Sequence, residues 1–344
     1  IVAGYGYINF LTTERLPQLV GERVDVEAVE IDLWGRKVIF KSPSFQKDSI
    51  SDQPDLKIRA TAKSIAIENF SFVDLLLSKE IDVAQLTVDS TNIDLILPDS
   101  LGTGGKREIN LFVREIFNRI RVEEFNFDCA NLDIVKGTEL DTILKVRGFG
   151  LMARDIVIDT ATVHHVFPLD FGWSHIRAAS FEMKAGDMYT LSGERLLIAD
   201  TSVKVHNVQV ASMYDREGFM RRLPHEKVQI GLEIGEIVAN DLIWTLEDGL
   251  GIRSTRTSIK NASLKVYKDK RPPPQPLRVK PLLASLIRNI PFDIYLDTLT
   301  LSKSYIEYEQ FPVLFPRSGK VFFDDLYASI YNLTNDSSRL RENP

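Results

Sequence analysis

One cysteine, Cys129, stands in 344 residues, so no intrachain disulfide can form and redox logic leaves the compartment open. No stretch reaches the roughly 18 apolar residues that a membrane-spanning helix needs. Charge of one sign is not gathered anywhere. The 42 basic and 48 acidic residues are mixed along the chain for a net charge of −6, and without a basic stripe a nucleic-acid partner is excluded. Glycine and proline, 19 and 15 residues, are not in excess, and 44% hydrophobic with 26% charged residues is the composition of a folded protein.

Motifs for chemistry are missing too. The run Leu101-Gly-Thr-Gly-Gly-Lys106-Arg107 resembles a phosphate loop, but Ser100 occupies the place of its first glycine and Arg107 that of the magnesium-binding hydroxyl. It reads as a flexible hairpin loop. The histidines (His164, His165, His175, His206, His225) include no i, i+4 helical pair, and no cysteine cluster supplements them. No Gly-x-Ser-x-Gly elbow occurs. Asn-x-Ser/Thr occurs at Asn69, Asn261 and Asn332 and carries little weight for glycosylation. Trp34, Trp173 and Trp244 sit in strand-like runs, where core packing is the default role. The expectation is a protein that is not an enzyme, with no cofactor and no metal.

What the sequence does have is a repeat. Val24-x-Val26-x-x-Val29-x-Ile31-Asp32 recurs as Ile81-x-Val83-x-x-Leu86-x-Val88-Asp89 and as Ile120-x-Val122-x-x-Phe125-x-Phe127-Asp128. A weaker copy is Ile294-x-Leu296-x-x-Leu299-x-Leu301-Ser302. Alternation places i and i+2 on one face of a strand, and a step of three throws the next pair to the other face. An inserted bulge residue resets that parity, so all four apolar residues line one side. A smaller echo spaces apolar residues by five: Val88 to Ile93, Ile198 to Val203 and Ile259 to Leu264. The recurring Asp32, Asp89 and Asp128 read as turn residues that accept local backbone hydrogen bonds.

Helical segments are expected near 11–20, 71–79, 109–119 and 280–289, each before a copy of the repeat, with Pro281 suited to a first turn. Residues 143–268 read as strand after strand, and Lys270-Arg-Pro-Pro-Pro-Gln-Pro276 breaks the pattern. The organisation expected is a repetitive β region over 1–270, a Pro-rich loop at 271–276 and a further helix–strand repeat over 277–344. The uncharged opening Ile1–Phe10 reads either as the stump of a membrane anchor or as an ordinary first strand.

The runs Ala66–Asp89, Ile294–Tyr308, Gly319–Leu326 and Tyr331–Thr334 resemble the amino-terminal part of AsmA-like proteins of Gram-negative envelopes, and the likeness is best over 15–97 and 279–334. The resemblance implies a mainly β fold: an elongated, curved, largely antiparallel sheet forming a β-groove, with a few short amphipathic helices preceding bulged strands. It further implies a periplasmic body anchored to the inner membrane, phospholipid as the ligand, and an envelope protein as a possible partner. The expected groove lining is Val29, Ile31, Leu86, Val88, Phe125, Phe127, Leu299 and Leu301. The alternative is a non-catalytic envelope scaffold that binds a partner strand.

Overall fold

The computed structural model describes residues 23–32, 34–47, 57–69, 80–97, 119–137, 141–159, 173–245, 251–273, 293–314 and 317–335. The expected helices at 11–20, 71–79 and 280–289, the glycine run at 101–107, and His164 and His165 lie outside them. Of the expected helix at 109–119 only Arg119 is described, and it is the first residue of a strand.

The chain divides into two compact units, residues 1–179 and 180–344. The first holds β1 (Arg23–Asp25), β2 (Ala28–Asp32), β3 (Lys37–Lys41), β4 (Ser44–Lys47), β5 (Lys57–Thr61), β6 (Ser64–Glu68), β7 (Glu80–Leu97), β8 (Arg119–Lys136) and β9 (Asp141–Asp159). Strand β10 (Trp173–Ala185) contains the division. The second unit holds β11 (Tyr189–Ala199), β12 (Ser202–Ser212), helix α1 (Arg216–Arg221), β13 (Val228–Thr245), β14 (Gly251–Asp269), β15 (Asp293–Phe311) and β16 (Gly319–Thr334). The mainly β expectation therefore holds, with one short helix among the described residues.

Most ladders are antiparallel, as β8 with β9 and β13 with β14. Two of the described ladders are parallel: β7 with β8, and β14 with β15. No tight turn can join a parallel pair, because the chain must first run back along the strand. The expected helix at 280–289, and all but Arg119 of the one at 109–119, fall in these two connections, outside the described residues.

Unit 1 begins with three broken strands. β1 pairs with β4 and β2 with β3, so β1–β2 runs as one interrupted strand beside β3–β4. β5 and β6 likewise both pair with β7. The first copy of the repeat is therefore two strands, with its step of three falling on the break between Val26 and Val29.

In the long strands the odd steps are kinks that keep register. Between Val83↔Val122 and Gln85↔Glu124 the residues Ala84 and Glu123 go unpaired, and Glu123 skips Asp155 in β9. Asp155 has a left-handed φ of 54°. In unit 2 one kink row crosses Asn207, Gly235, Asn261 and Lys303, and another crosses Asp241, Thr255, Asp297 and Asn332. Asn207, Asn261, Lys303, Asp241 and Asn332 all have φ between 49° and 55°. Asparagine and aspartate tolerate this region better than other side-chain-bearing residues, which accounts for Asn261 and Asn332, and also for Asn69 at φ 55°.

The kinks reset parity as expected. Thr257 Oγ1 donates to Ser254 Oγ at 3.1 Å although the two are three residues apart in β14, so they share a face. Val205 and Val208, flanking Asn207, join one buried cluster with Ile234. The step of five behaves alike in β14, where Asn261 lies between Ile259 and Leu264. Ile198 and Val203 instead face each other across the turn joining β11 and β12.

Candidate functional site

Register carries the apolar repeat positions into continuous rows. In unit 1 one row runs Ile31–Val38–Ile67–Leu86–Phe125–Ala153 across β2, β3, β6, β7, β8 and β9. The next runs Val29–Phe40–Ile65–Val88–Phe127–Leu151 across the same strands. Six of the eight expected lining residues thus fall in two adjacent rows. Ile31, Leu86, Val88, Phe125 and Phe127 are half-buried, and Val29 is exposed. Phe125 and Phe127 stack at 6.3 Å, and Phe127 meets Phe149 edge-on at 6.0 Å. At about 4.8 Å between strands, six strands carry each row across about 24 Å.

Unit 2 repeats the arrangement. Ile198–Val203–Ala239–Thr257–Leu299–Ile330 form one row across β11 to β16. Val205–Ile237–Ile259–Leu301–Ala328 form another, and Leu191–Val210–Leu232–Leu264–Ile306–Phe323 a third. Of the two expected lining residues here, Leu301 is half-buried and Leu299 is buried, 8% exposed. Exposure rises along the third row from a half-buried Leu264 to an exposed Ile306 and Phe323.

Between the apolar rows lie polar ones, whose side chains stand on the other face. Asp32–Lys37–Glu68–Gln85–Glu124–Arg154 mixes acidic and basic side chains across unit 1, with Lys37 and Glu68 paired at 2.6 Å. In unit 2 Glu236 is held below the usual carboxylate range by the hydrogen bond from Lys260, with Lys204 adding to it. Asp32 is the turn residue expected, accepting from the backbone N–H groups of Trp34 and Gly35. Asp89 and Asp128 lie inside strands and pair with Lys63 and Arg177. Trp34 is a correction: it stands on the exposed β2–β3 turn, because that Asp32 turn holds it away from either sheet face.

Two features escaped the sequence. Helix α1 is too short for periodicity to reveal, though its cap is legible in Asp215, whose carboxylate accepts from Gly218 N–H. From α1, Arg216 donates twice to Glu309, at 3.1 and 2.6 Å, and stacks on Tyr267. That hydrogen bonding holds the buried Glu309 carboxyl below its usual range, against the opposing effect of burial. Asp269, likewise buried, is lowered by hydrogen bonds from Arg271.

Cys129 packs beside Thr91 and donates to the Asn131 carbonyl; burial pushes its thiol pKa up, as for an inert core cysteine. Shallow depressions of about 350 and 320 Å³ lie near Phe45 and near Gly235, and neither gathers an acid–base or nucleophilic set. Among the described residues no group of His, Cys, Asp or Glu is placed to hold a metal ion. No helix there is long and apolar enough to cross a membrane. No family model matches the chain, and no curated protein sequence matches it.

Proposed function

We propose that the chain is a non-enzymatic lipid-handling protein that lays phospholipid acyl chains along the apolar rows of its sheet. The single observation behind this reading is the uninterrupted row Val29–Phe40–Ile65–Val88–Phe127–Leu151, apolar on six neighbouring strands. A row about 24 Å long exceeds the roughly 15 Å thickness of one leaflet's hydrocarbon. Each methylene fully removed from water is worth about 0.8 kcal/mol, so affinity needs no specific polar contact. The resemblance to AsmA-like proteins supports the same reading and adds an envelope setting: a periplasmic body tethered to the inner membrane.

The test is lipid extraction and mass analysis of the purified protein, alone and with Val88→Asp or Leu301→Glu. The expected result is stoichiometric phospholipid in the parent and its loss from folded variants. Lipid-free parent protein would contradict the reading.

A second reading, a scaffold that recruits a partner strand, draws on β16. Phe322, Tyr327 and Tyr331 are exposed there, and no described strand pairs with its outer edge. Folded variants with undiminished lipid would favour it.

A further inference from the structure

Just past the end of β15, Val313 and Leu314 put apolar side chains where a strand end ordinarily carries polar ones. Val313 is 65% exposed and Leu314 87%. The root beneath them is fixed on both sides. Lys270 N–H donates to the Phe311 carbonyl at 3.0 Å, and the Arg271 guanidinium, held by Asp269, lies 4.3 Å over the Phe311 ring. On the other side Ser318 Oγ donates to Glu309 at 2.7 Å. The exposed pair therefore stands beyond a braced end of β15.

The charges around it are uneven. Arg271 is neutralised by Asp269, and Lys320 by Glu307 and Glu309. Lys270 and Arg317 are exposed, and neither has a carboxylate within ion-pair distance among the described residues. Two cations with no carboxylate partner among the described residues thus stand beside Val313 and Leu314, in a chain whose net charge is −6.

We propose that this tip of β15 docks on an anionic lipid bilayer, inserting Val313 and Leu314 at the interface while Lys270 and Arg317 meet the headgroups. A protein partner fits less well. Two side chains are far short of the roughly 1,200 Å² that a specific protein interface buries, whereas a bilayer rewards each inserted side chain singly. The placement also deepens the lipid reading, on which this part rests. The apolar row Ile230–Val266–Tyr308–Val321 ends three residues from Phe311 in β15. An acyl chain leaving the bilayer at the tip would meet that row first.

The experiment is flotation of the purified chain with phosphatidylcholine vesicles, with and without phosphatidylglycerol, using Val313→Ser/Leu314→Ser and Lys270→Gln/Arg317→Gln. All four positions are exposed, so the strand-dominated circular dichroism should not change. The parent should float with anionic vesicles, and the serine pair should lose roughly tenfold or more in partitioning. The glutamine pair should lose the preference for phosphatidylglycerol and its salt dependence. A Leu314→Trp reporter should shift to the blue on vesicle addition. Parent protein that carries lipid yet does not float would overturn the docking tip and spare the lipid reading. Flotation unchanged in the serine pair would overturn the tip as well. Lipid-free protein that floats through the tip would leave docking standing and remove acyl-chain transfer.

Discussion

The two apolar rows of unit 1 carry three phenylalanines among aliphatic side chains, and the first two rows of unit 2 carry no aromatic side chain. Phe40, Phe125 and Phe127 stay half-buried in unit 1. In unit 2, Val205, Val208 and Ile234 seal themselves beneath Phe181, Leu196 and Leu232. The repeat is the same, yet the phenylalanines of the unit 1 rows stay partly exposed while another stretch closes into a small core. Close approach at a kink is common to both units: a Cβ added at Gly235 would stand 3.1 Å from that of Asn261, and one added at Gly148 3.0 Å from that of Ala179.

The largest expected effect separates open rows from sealed ones. Ile234→Asp would bury an unpaired carboxylate at a cost of several kcal/mol, most of the roughly 5–15 kcal/mol a domain has, and should unfold unit 2 in a denaturant titration. Phe127→Asp, on a half-buried row, should leave a cooperative transition while co-purifying lipid falls. Equal destabilisation by both would erase the distinction.

Kink positions should rank next. Asn261→Val forces a β-branched residue to φ 55° and should cost about 1–2 kcal/mol, whereas Asn261→Gly should be close to neutral. Gly148→Val in unit 1 should cost at least as much, because φ is 57° and an added Cβ would lie 3.0 Å from that of Ala179. Midpoint shifts of urea unfolding at constant slope would measure both.

A pH-dependent effect is expected for the α1 contact. Glu309 has a folded pKa below its unfolded value, so it binds fewer protons when folded. Its stabilisation is present above the ordinary carboxylate range and is lost as pH falls through the depressed folded pKa. Arg216→Met should flatten that acid limb and leave stability near neutrality lowered; an unchanged limb would show that other carboxylates dominate. The smallest effect belongs to the exposed polar rows. Lys37→Met, breaking the pair with Glu68, should change stability by no more than about 1 kcal/mol.

The faces of the long strands were legible because a step of three is economically explained by a kink residue, as Ser254 with Thr257 bears out. A step of five, by contrast, marks a kink in β14 and a turn between β11 and β12. The kink residues were only half legible. Asn207 and Asn261 carry a left-handed preference in their side chains, but Arg195 and Lys303 adopt φ of 48° and 51° with no such signal; their neighbours impose it. Register was not legible at all. That Val88 faces both Ile65 and Phe127 depends on strand pairing, which residue spacing within one strand does not encode. The Arg216–Glu309 contact joins residues 93 apart in sequence, and no local pattern announces it. Of the lining residues, Leu299 looked identical to Leu301 in the repeat, and only its packing sets it apart.

Site-specific photocrosslinking tests the account most directly. A photoreactive side chain at Val88 or Leu301 would sit on the apolar rows, and at Thr87 or Thr300, their neighbours in sequence, on the opposite face. After incubation with phospholipid vesicles and irradiation, mass analysis should find phospholipid adducts at Val88 and Leu301 and almost none at Thr87 and Thr300. Equal adducts on both faces, or none on either, would contradict an apolar face that carries lipid.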